Sequence, residues 1–348
     1  MRIGLVRRGY SSAGGAESYL RGFAEAATLA GHEVVLFCSP EWSDWAFGEK
    51  IIVAGKSPQT FSDQLAALRP QGKCDILFSL ERVSACDIYR AGDGVHAAWL
   101  QRRARFEPPF KRLTFALNPK HRALLQLEKK AMQGARKIIA NSAMVRQEIA
   151  SHYGADIAGK VHVVYNGIDP LKWSKPPAPR SVLRRQWSLQ ASDRVVAFVG
   201  SGWDRKGLRF AIGAAKAANA ILVVSGKGEP KNYLAPHVRF LGPLSDVASV
   251  LHAADAFLLP TIYDPFSNAT LEALAAGLPV ITTTANGVSE ILDPLTDGTA
   301  VSIPDDIPAL TAALKHWIHH PAHDLRQTHA AQFSHKRNFS ETLRIIES

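Results

Sequence analysis

Cysteine is scarce in this chain, and long apolar runs are missing from it. Cys38, Cys74 and Cys86 are the three cysteines among 348 residues, and they lack the close spacing of metal ligands. This argues against a disulfide-stapled secreted scaffold and favours reduced thiols in the cytoplasm. No run approaches the roughly eighteen apolar residues of a membrane-spanning helix. The first six residues become charged too soon for a signal peptide, so we expect a strand there.

Two common nucleotide-binding glycine motifs are also absent. Gly9 and Gly14 lack the spacing of the dinucleotide fingerprint, and no ribose-binding acid follows the second predicted strand cleanly. The tripeptide Gly55-Lys56-Ser57 ends like a P-loop, but Lys50 stands where that motif needs its first glycine. Neither motif therefore predicts nucleotide binding here.

Positive charge is in excess and is unevenly distributed. The formal net charge is +10, and residues 101–130 carry nine Lys and Arg against Glu107 and Glu128, a net of +7. Aromatic residues such as Trp99 and Phe110 are interleaved with these charges. A localised basic surface predicts a specific acidic partner. Single-stranded nucleic acid, an anionic membrane and a solvated charged face all fit the pattern.

Both halves of the chain alternate short apolar runs with amphipathic stretches. This alternation is typical of α/β proteins with parallel, doubly wound sheets. The length suits two domains, and a hydrophobic content of 46% is enough for two cores. The strand candidates are 3–6, 33–38, 50–53, 76–80, 138–141 and 161–165 in the first half, and 195–199, 221–225, 238–241, 256–259 and 279–282 in the second.

Proline-rich sequence separates the two halves. Residues 175–179, Lys-Pro-Pro-Ala-Pro, can continue neither a helix nor a central strand, so we predict a linker there. The final segment, 339–347, is predicted to be a short amphipathic helix. We therefore predict domains at 1–168 and 169–335, with 336–348 as a C-terminal helix.

The most informative sequence is the stretch 263–275. It follows the apolar run 256–259 and leads into a helix whose apolar positions recur at helical spacing. Ser267 or Asn268 can cap that helix, and Gly277 can end it. The sequence thus predicts a strand, a loop and a helix in direct succession.

Two acids occupy this loop and helix. Asp264 and Glu272 have seven residues between them. Acids beside the free amides of a helix start can bind the hydroxyls and the phosphates of a sugar nucleotide together. A capped helix with incidental acids is the structural alternative.

This stretch resembles the acidic signature of the retaining glycosyltransferases of family 4, in which two Glu flank seven residues. The sequences 276–281, Ala-Gly-Leu-Pro-Val-Ile, and 166–169, Asn-Gly-Ile-Asp, resemble the same family. The first acid is Asp264 here, one methylene shorter than the family's Glu. The resemblance implies a GT-B fold, in which two doubly wound, parallel-sheet Rossmann-like domains face each other across a cleft. It also implies that the C-terminal helix crosses back to the first domain.

The resemblance further assigns a donor site. Glu272 would hold the nucleotide ribose, and Asp264 would hold the donor sugar hydroxyls. Backbone amides at the helix start would bind the diphosphate. The donor-binding positions carried over in this way are Gly14, Gly15, Ser201, Phe266, Ser267, Asn268, Thr270 and Glu272.

Arg205 and Lys206 follow the predicted strand 195–199 and precede a helix. A diphosphate leaving group needs positive charge as the sugar–oxygen bond breaks, and a loop after a strand can deliver that charge. By resemblance Lys206 is the donor-phosphate Lys, and both residues are catalytic candidates with the two acids. Ser201 stands where the family usually has Arg, and Arg205 can substitute for it. An exposed basic pair at a helix start is the structural alternative.

Gly14 and Gly15 follow the first predicted strand and open a helix over 19–29. Glycines let the backbone approach a phosphate or sugar closely, and a helix start offers amides. Taken alone, the pair is equally consistent with simple turn geometry. Together with the motifs of the second half, it is predicted to face the cleft from the first domain.

Asp93 and His96 lie in a short polar sequence, 91–96, that follows a strand of the first half. Family members often place a His at this wall of the cleft, in contact with sugar or acceptor, and Gly92 takes that position here. Asp93 is therefore a candidate catalytic, acceptor-side group, with His96 beside it. A satisfied loop Asp and a surface His are the structural alternative.

The basic stretch, 99–130, makes the chain similar to the lipopolysaccharide-core glycosyltransferases of the family. The resemblance implies association with the anionic inner face of the cytoplasmic membrane, and no nucleic-acid partner is expected. The candidate acceptor- or membrane-contacting residues are His96, Arg102, Arg103, Arg105, Lys111 and Arg112.

Histidines are concentrated near the C-terminus. We predict a surface tract and no metal site, because Pro321 interrupts the i, i+4 pairs that would converge on zinc. The histidines concerned are His316, His319, His320, His323, His329 and His335.

The function implied is that of a retaining, hexosyl-type glycosyltransferase. It would move a sugar from a nucleotide-diphosphate sugar, with UDP favoured, to lipopolysaccharide core or another lipid-linked cell-envelope glycan. No cofactor is expected, and the protein would be cytoplasmic and peripheral on the membrane. A GT-B epimerase and a non-catalytic sugar-nucleotide sensor remain open. A nucleic-acid-binding module would explain the charge but not the acid pair.

Overall fold

A computed structural model describes residues 1–10, 15–42, 44–318, 320 and 323–348. The chain divides into two compact units, Met1–Tyr165 with His335–Ser348, and Asn166–Ser334. The first unit is therefore built from both ends of the chain, whereas the second is one continuous segment. Each unit contains its own sheet.

The apolar runs of the first unit form strands, and the five central ones are buried on both faces, as expected of a parallel sheet covered by helices. The strands are β1 (Arg2–Arg7), β2 (Glu33–Cys38), β3 (Glu49–Ile52), β4 (Ile76–Ser79), β5 (Ile88–Arg90), β6 (Lys137–Ala140) and β7 (Val161–Val163). They run in the order β3-β2-β1-β4-β5-β6-β7, and neighbours pair in parallel. The order therefore reverses direction between β1 and β4.

Helices of the first unit begin at side chains that accept hydrogen bonds from the first backbone N–H groups, or at prolines, which have no N–H. Ser57 accepts a hydrogen bond from the Thr60 N–H at α2, and Ser142 does so from the Val145 N–H at α6. The helices up to residue 165 are α1 (Gly15–Leu29), α2 (Pro58–Ala67), α3 (His96–Ala104), α4 (Pro109–Leu117), α5 (Pro119–Gly134), α6 (Ala143–Tyr153) and α7 (Ala155–Ala158).

The second unit repeats the architecture. Its strands are β8 (Val195–Val199), β9 (Ile221–Ser225), β10 (Val238–Gly242), β11 (Ala256–Leu259), β12 (Val280–Thr283) and β13 (Gly298–Val301). They form a parallel sheet in the order β10-β9-β8-β11-β12-β13. The order reverses between β8 and β11, which makes their carboxyl ends the expected place for a ligand.

Eight α-helices are described around this second sheet. They are α8 (Pro170–Ser174), α9 (Arg180–Gln186), α10 (Trp203–Lys206), α11 (Leu208–Ala217), α12 (Val247–Ala253), α13 (Asn268–Ala275), α14 (Ile307–Trp317) and α15 (His323–Ala331). Short 3-10 helices are described at Pro70–Gly72, Pro230–Asn232 and Gly287–Ile291.

The last helix, α16 (His335–Glu347), completes the core of the first unit. The Phe339 ring packs edge-on against Tyr19 and Phe23 of α1, with centroid distances of 5.4 and 6.1 Å. Gly22 makes room for that ring, because a Cβ there would lie 2.9 Å from Phe339. The helix begins four residues before the predicted start at 339.

Two strands are absent from the predicted set. β5 has three residues and ends in a buried Arg, and β13 is a four-residue edge strand with a half-exposed pattern. Neither is long enough to show a clear apolar period, so sheet pairing rather than local sequence defines them. The other predicted strands appear within two residues of their expected ends.

The proline-rich stretch does not separate the two units. Residues 175–179 lie inside the second unit, between α8 and α9. The chain passes between the units at Tyr165–Asn166 and at Ser334–His335, within three residues of the predicted boundaries at 168–169 and 335–336. Proline breaks the helix here without marking a domain boundary, because the break serves only a turn between two short helices.

Candidate active site

The carboxyl ends of β8 and β11 bring together the basic pair and the first acid of the sequence motif. β8 leads into the one-turn helix α10, and β11 leads into the loop before α13. The Arg205 carbonyl accepts hydrogen bonds from the Ile262 N–H and the Thr261 hydroxyl, both at 2.9 Å. These bonds fix α10 against the exit of β11, so the two loops form one surface.

Gly207 makes this close approach possible. It ends α10 in the left-handed conformation, with φ at +76°, and a Cβ there would lie 1.9 Å from the Pro260 carbonyl oxygen. Only glycine meets both conditions. The glycine directly after Arg205-Lys206 therefore positions both cations.

Asp264 is held rigidly through its backbone. Its N–H donates to the Ala285 carbonyl and its carbonyl accepts from the Gly287 N–H, each at 2.9 Å, and it forms a β-bridge with Asn286. Its side chain is 5% exposed. The backbone that carries this carboxylate is therefore fixed at the end of β11.

Lys206 and Asp264 form a buried ion pair through Nζ and Oδ2. Arg205 Nη1 lies 3.8 Å from the same oxygen and donates to the Tyr263 carbonyl at 2.8 Å. Burial lowers the pKa of Lys206, and the Asp264 carboxylate opposes that shift. The cations of Arg205 and Lys206 therefore both lie within ion-pair distance of the Asp264 carboxylate.

The start of α13 is capped as the sequence predicts. Ser267 is the cap residue, and its hydroxyl accepts from the Thr270 N–H at 3.4 Å. At the other end, Gly277 has φ at +81°, and its N–H and that of Leu278 donate to Leu274 and Ala273 carbonyls. This is the Schellman arrangement, which satisfies the last carbonyls of the helix.

Asn286 organises this region, and the sequence analysis did not identify it as a site residue. Its Oδ1 accepts from the Ser267 and Val288 N–H groups at 3.2 and 3.3 Å. Its Nδ2 donates to the Thr270 and Thr282 hydroxyls at 3.2 and 3.0 Å. Its position three residues after the strand β12 and directly before a glycine is the signal that would have pointed to it.

This network includes part of the expected diphosphate site. The Ser267 amide is already bonded to Asn286 Oδ1, so it does not serve as an open donor in this arrangement. The Ser267 and Thr270 side chains are buried in the cap, and Phe266 is 4% exposed. The Asn268 side chain carbonyl accepts from Asn166 Nδ2 at 2.9 Å. These residues shape the helix start more than they project from it.

Glu272 lies on α13 and is partly exposed. Burial raises its pKa to about 7, although Lys172 and Lys206 oppose the shift. A carboxylate with a pKa near neutrality in a polar pocket is typical of a functional group. Ser201, on the β8 loop, is exposed, and its hydroxyl accepts from the Lys227 N–H at 3.1 Å.

The remaining predicted residues belong to the first unit. Gly14 lies outside the described residues, and Gly15 is the first residue of α1. Asp93 is exposed, with Oδ2 3.5 Å from Arg82 Nη1. His96 begins α3, donates its backbone N–H to the buried Glu128, and places Nε2 3.0 Å from His121 Nδ1. Burial and Arg82 lower the pKa of His96 to about 4.

The predicted basic residues are partly paired. Arg102 bonds Glu148 at 2.9 Å, and Glu107 receives Arg103 at 2.9 Å and Lys111 at 3.5 Å. Each predicted acceptor- or membrane-contacting residue still adds to the positive surface or lies beside it. Arg112 Nε donates to the Glu107 carbonyl at 2.9 Å, and the Arg105 guanidinium lies 5.4 Å from the Phe106 ring centroid.

Helix α4 adds apolar groups to this basic surface. Phe110 and Leu117 are 67% and 76% exposed, and Lys111 and Arg112 lie between them in sequence. None of the helices in the described residues is long and apolar enough to cross a membrane. Among the same residues, no group of three or more His, Cys, Asp or Glu is placed to hold a metal; His319 and Pro321 lie outside them.

Comparisons with known proteins match both units. A profile described as Glycosyltransferase Family 4 matches residues 13–172, and one described as Glycosyl transferases group 1 matches residues 193–320. An uncharacterized glycosyltransferase of Methanocaldococcus jannaschii is 31% identical over 45% of this chain and 44% of that protein. The chain spans less than half the length of the first curated relatives that it matches.

Two further similarities extend over more of the chain. The lipopolysaccharide glucosyltransferase WaaG of Escherichia coli is 23% identical over 69% of this chain and 67% of that protein. A crystal structure of WaaG covers 99% of both chains with a TM-score of 0.80 and 21% identity. Anabaena HepE in complex with UDP and glucose covers both chains fully, with a TM-score of 0.75 and 18% identity. The predicted GT-B fold, with two parallel-sheet α/β domains, is thereby confirmed.

Proposed function

The chain belongs to glycosyltransferase family 4, and on that basis we propose that it transfers a sugar from a nucleotide-diphosphate sugar to a hydroxyl of a glycan acceptor, with retained anomeric configuration. The observation that carries this proposal is the arrangement of Arg205, Lys206 and Asp264 where the order of the second sheet reverses.

The chemistry of a departing diphosphate matches this arrangement. Negative charge develops on the leaving oxygen as the glycosidic bond breaks, and preorganised cations stabilise that charge most effectively where water is excluded. Arg205 is partly exposed and can contact a phosphate directly, and the buried Lys206 next to it adds positive charge. In this proposal Asp264 holds the donor sugar hydroxyls and anchors the Lys206 ammonium.

Glu272 supplies the second half of the donor site. A carboxylate accepts hydrogen bonds from two vicinal hydroxyls, which is the arrangement that a ribose presents. Its raised pKa means that ribose binding and ionisation support each other, because hydrogen bonds to the charged form favour that form. UDP is the favoured nucleotide because the structurally similar Anabaena protein holds UDP. Arg205 and Lys206 provide the charge stabilisation, so no metal cofactor is included in the proposal.

The acceptor proposed is a lipopolysaccharide-core or other lipid-linked glycan. Similarity to WaaG supports this choice, and so does the basic surface of α3, α4 and α5 with the exposed apolar residues of α4. A basic residue near an anionic surface contributes about 1 kcal/mol to binding. The protein would then act at the inner face of the cytoplasmic membrane, bound peripherally.

A thermal-shift panel of UDP-, GDP- and ADP-sugars tests the donor assignment. A donor at about a hundred times its Kd should add about 2.7 kcal/mol to the unfolding free energy, so one nucleotide class should raise the midpoint clearly. Release of free nucleotide from that donor should then be lost in Glu272→Ala. If donor binds but is never consumed with any glycan, the protein is a sensor; if the sugar is converted without acceptor, it is an epimerase.

A further inference from the structure

A second polar cluster lies in the first unit, at the carboxyl edge of its sheet, and it is separate from the donor-site residues. The strand order reverses between β1 and β4, so the ends of these strands form the position where parallel sheets receive ligands. Arg7 is the last residue of β1, and Glu81 follows β4 by two residues. Neither Arg7 nor Glu81 was singled out by the sequence motifs.

The two carboxylate oxygens of Glu81 differ in their contacts. Its Oε1 accepts from the Arg8 N–H at 3.3 Å and lies 3.1 Å from Arg7 Nη1. Its Oε2 has no hydrogen-bond partner among the described residues, and 18% of the side chain is exposed. One oxygen therefore anchors the group, while the other is left to accept a hydrogen bond.

Two cations near Glu81, Arg7 and Arg82, are already held by other acids. Arg7 Nη2 lies 3.2 Å from Oε1 of the buried Glu17. Arg82 Nε donates at 2.8 Å to Glu128, which is fully buried and also accepts from the Tyr153 hydroxyl at 2.6 Å. Because Arg7 is fixed in this way, it and the Arg8 N–H hold the Glu81 carboxylate in one position.

A second, independent acceptor lies along the same edge. Asn141 follows β6 directly and is 2% exposed, and its Nδ2 donates to the Gly92 carbonyl at 3.1 Å. Its Oδ1 is buried without a hydrogen-bond partner in the described structure. A buried orphan acceptor requires a donor from a ligand or water. Gly92 is adjacent to Asp93, so the strand ends of β4, β5 and β6 all contribute acceptor oxygens here.

On the expectation that the first domain receives the glycan acceptor, we propose that Glu81 is a specificity-determining residue for the acceptor's hydroxyl groups at this edge. Glu81 Oε2 and Asn141 Oδ1 require hydrogen-bond donors, which sugar hydroxyls supply and phosphate groups do not. The edge therefore selects an uncharged, polyhydroxylated face, whereas Arg205 and Lys206 in the second unit are suited to phosphate. This inference rests on the proposed glycosyltransferase function.

Direct binding of a delipidated lipopolysaccharide core oligosaccharide, measured by calorimetry, tests the assignment. Glu81→Ala should raise the Kd for the oligosaccharide about tenfold or more, the loss of one hydrogen bond to a charged group. The control Glu33→Ala removes an acid whose side chain is 81% exposed at the amino end of β2, and its Kd should match wild type. In the transfer reaction, Glu81→Ala should raise the acceptor KM and leave the donor KM unchanged.

The outcomes separate the two proposals. If no nucleotide shifts the unfolding midpoint of any variant, the donor function is contradicted. If nucleotide shifts all of them and the oligosaccharide binds wild type and Glu81→Ala equally, the Glu81 assignment is overturned. Should Glu81→Ala not fold, Glu81→Gln keeps the shape of the side chain and removes its charge, and it should weaken oligosaccharide binding at least threefold.

Discussion

Lys206 and Asp264 form a buried ion pair although 58 residues separate them in the chain. Each is delivered by a different strand end, and each backbone is fixed by hydrogen bonds to neighbouring loops. A buried pair of this kind is costly to desolvate and contributes little net stability compared with apolar residues of similar volume. Its presence at the point where the sheet order reverses is therefore better explained by chemistry than by folding.

Removal of one partner should separate stability from activity. Lys206→Met removes the nearest partner of the buried Asp264 carboxylate and leaves it with Arg205 Nη1 at 3.8 Å, so it should cost about 3–5 kcal/mol of unfolding free energy. Nucleotide-sugar turnover should fall at least about a hundredfold. The double variant Lys206→Met with Asp264→Leu should recover most of the stability in urea unfolding and none of the turnover. Activity that returned together with stability would show that the pair is only structural.

Glycine at position 207 should be indispensable. Gly207→Ala places a methyl group on the Pro260 carbonyl in a left-handed conformation, so we expect a loss of at least about 2 kcal/mol or a failure to fold. Gly213→Ala, inside α11 with ordinary contacts to Ile307, is the matched control and should gain up to about 1 kcal/mol. Chemical denaturation of both variants measures the difference, and equal midpoints would contradict the assigned role of Gly207.

Donor affinity should depend on the ionisation of Glu272. Because its pKa is about 7, only about a tenth of it is ionised at pH 6 and about nine tenths at pH 8. If the carboxylate holds the ribose, the Kd for UDP-glucose should fall about tenfold over this interval. A sugar nucleotide is preferable to UDP, whose terminal phosphate titrates nearby. Glu272→Gln should bind UDP-glucose more weakly, and its Kd should not depend on pH in this interval. If the Kd of that variant changed with pH as in wild type, a group other than Glu272 would be responsible.

The same group sets a pH trend in stability with the opposite sign. Its folded-state pKa lies above the unfolded value, so the folded protein binds more protons between about pH 4.5 and 7. The Glu272 contribution to stability should therefore decrease as pH rises through this window and then level off. The unfolding free energies of wild type and Glu272→Gln should be measured from pH 5 to 8. Their difference isolates the Glu272 contribution.

Membrane binding should depend on the exposed residues of α4. Replacing Phe110 and Leu117 by Ser should weaken co-sedimentation with anionic liposomes by at least tenfold, because both side chains are available for insertion. Leu29→Ser is the control, since that residue is 83% exposed at the end of α1 in the same unit. Neutral liposomes should bind wild type weakly. Equal binding of all three proteins to anionic liposomes would refute the role of α4.

The donor loop could be predicted from sequence because its information is local. The strand, cap, acids and terminating glycine of 256–277 are contiguous, and each acts on its neighbours. The pairing of Lys206 with Asp264 could not be derived in the same way, since it depends on β8 and β11 being adjacent. Family resemblance supplied that relationship. Strand order is a property of the whole sheet, and short apolar runs do not encode it.

Residues that act through buried polar networks were the ones missed. Asn286 has four hydrogen bonds that connect β12, α13 and the following 3-10 helix, yet in sequence it is one Asn before a Gly. Glu81 and Glu17 meet at Arg7 from elements that are distant in the chain. The proline-rich stretch was predicted to be a linker between the halves, but it lies inside the second unit, between α8 and α9.

The position of α16 has a consequence for biosynthesis. Phe339 is made long after Tyr19 and Phe23, the rings that it covers, because residues 166–334 are translated in between. A nascent chain of 334 residues therefore contains everything needed for the second unit but leaves α1 of the first with a bare aromatic surface. During that interval the ribosome-bound protein should be a substrate for chaperones, and premature termination near residue 334 should yield an aggregating product.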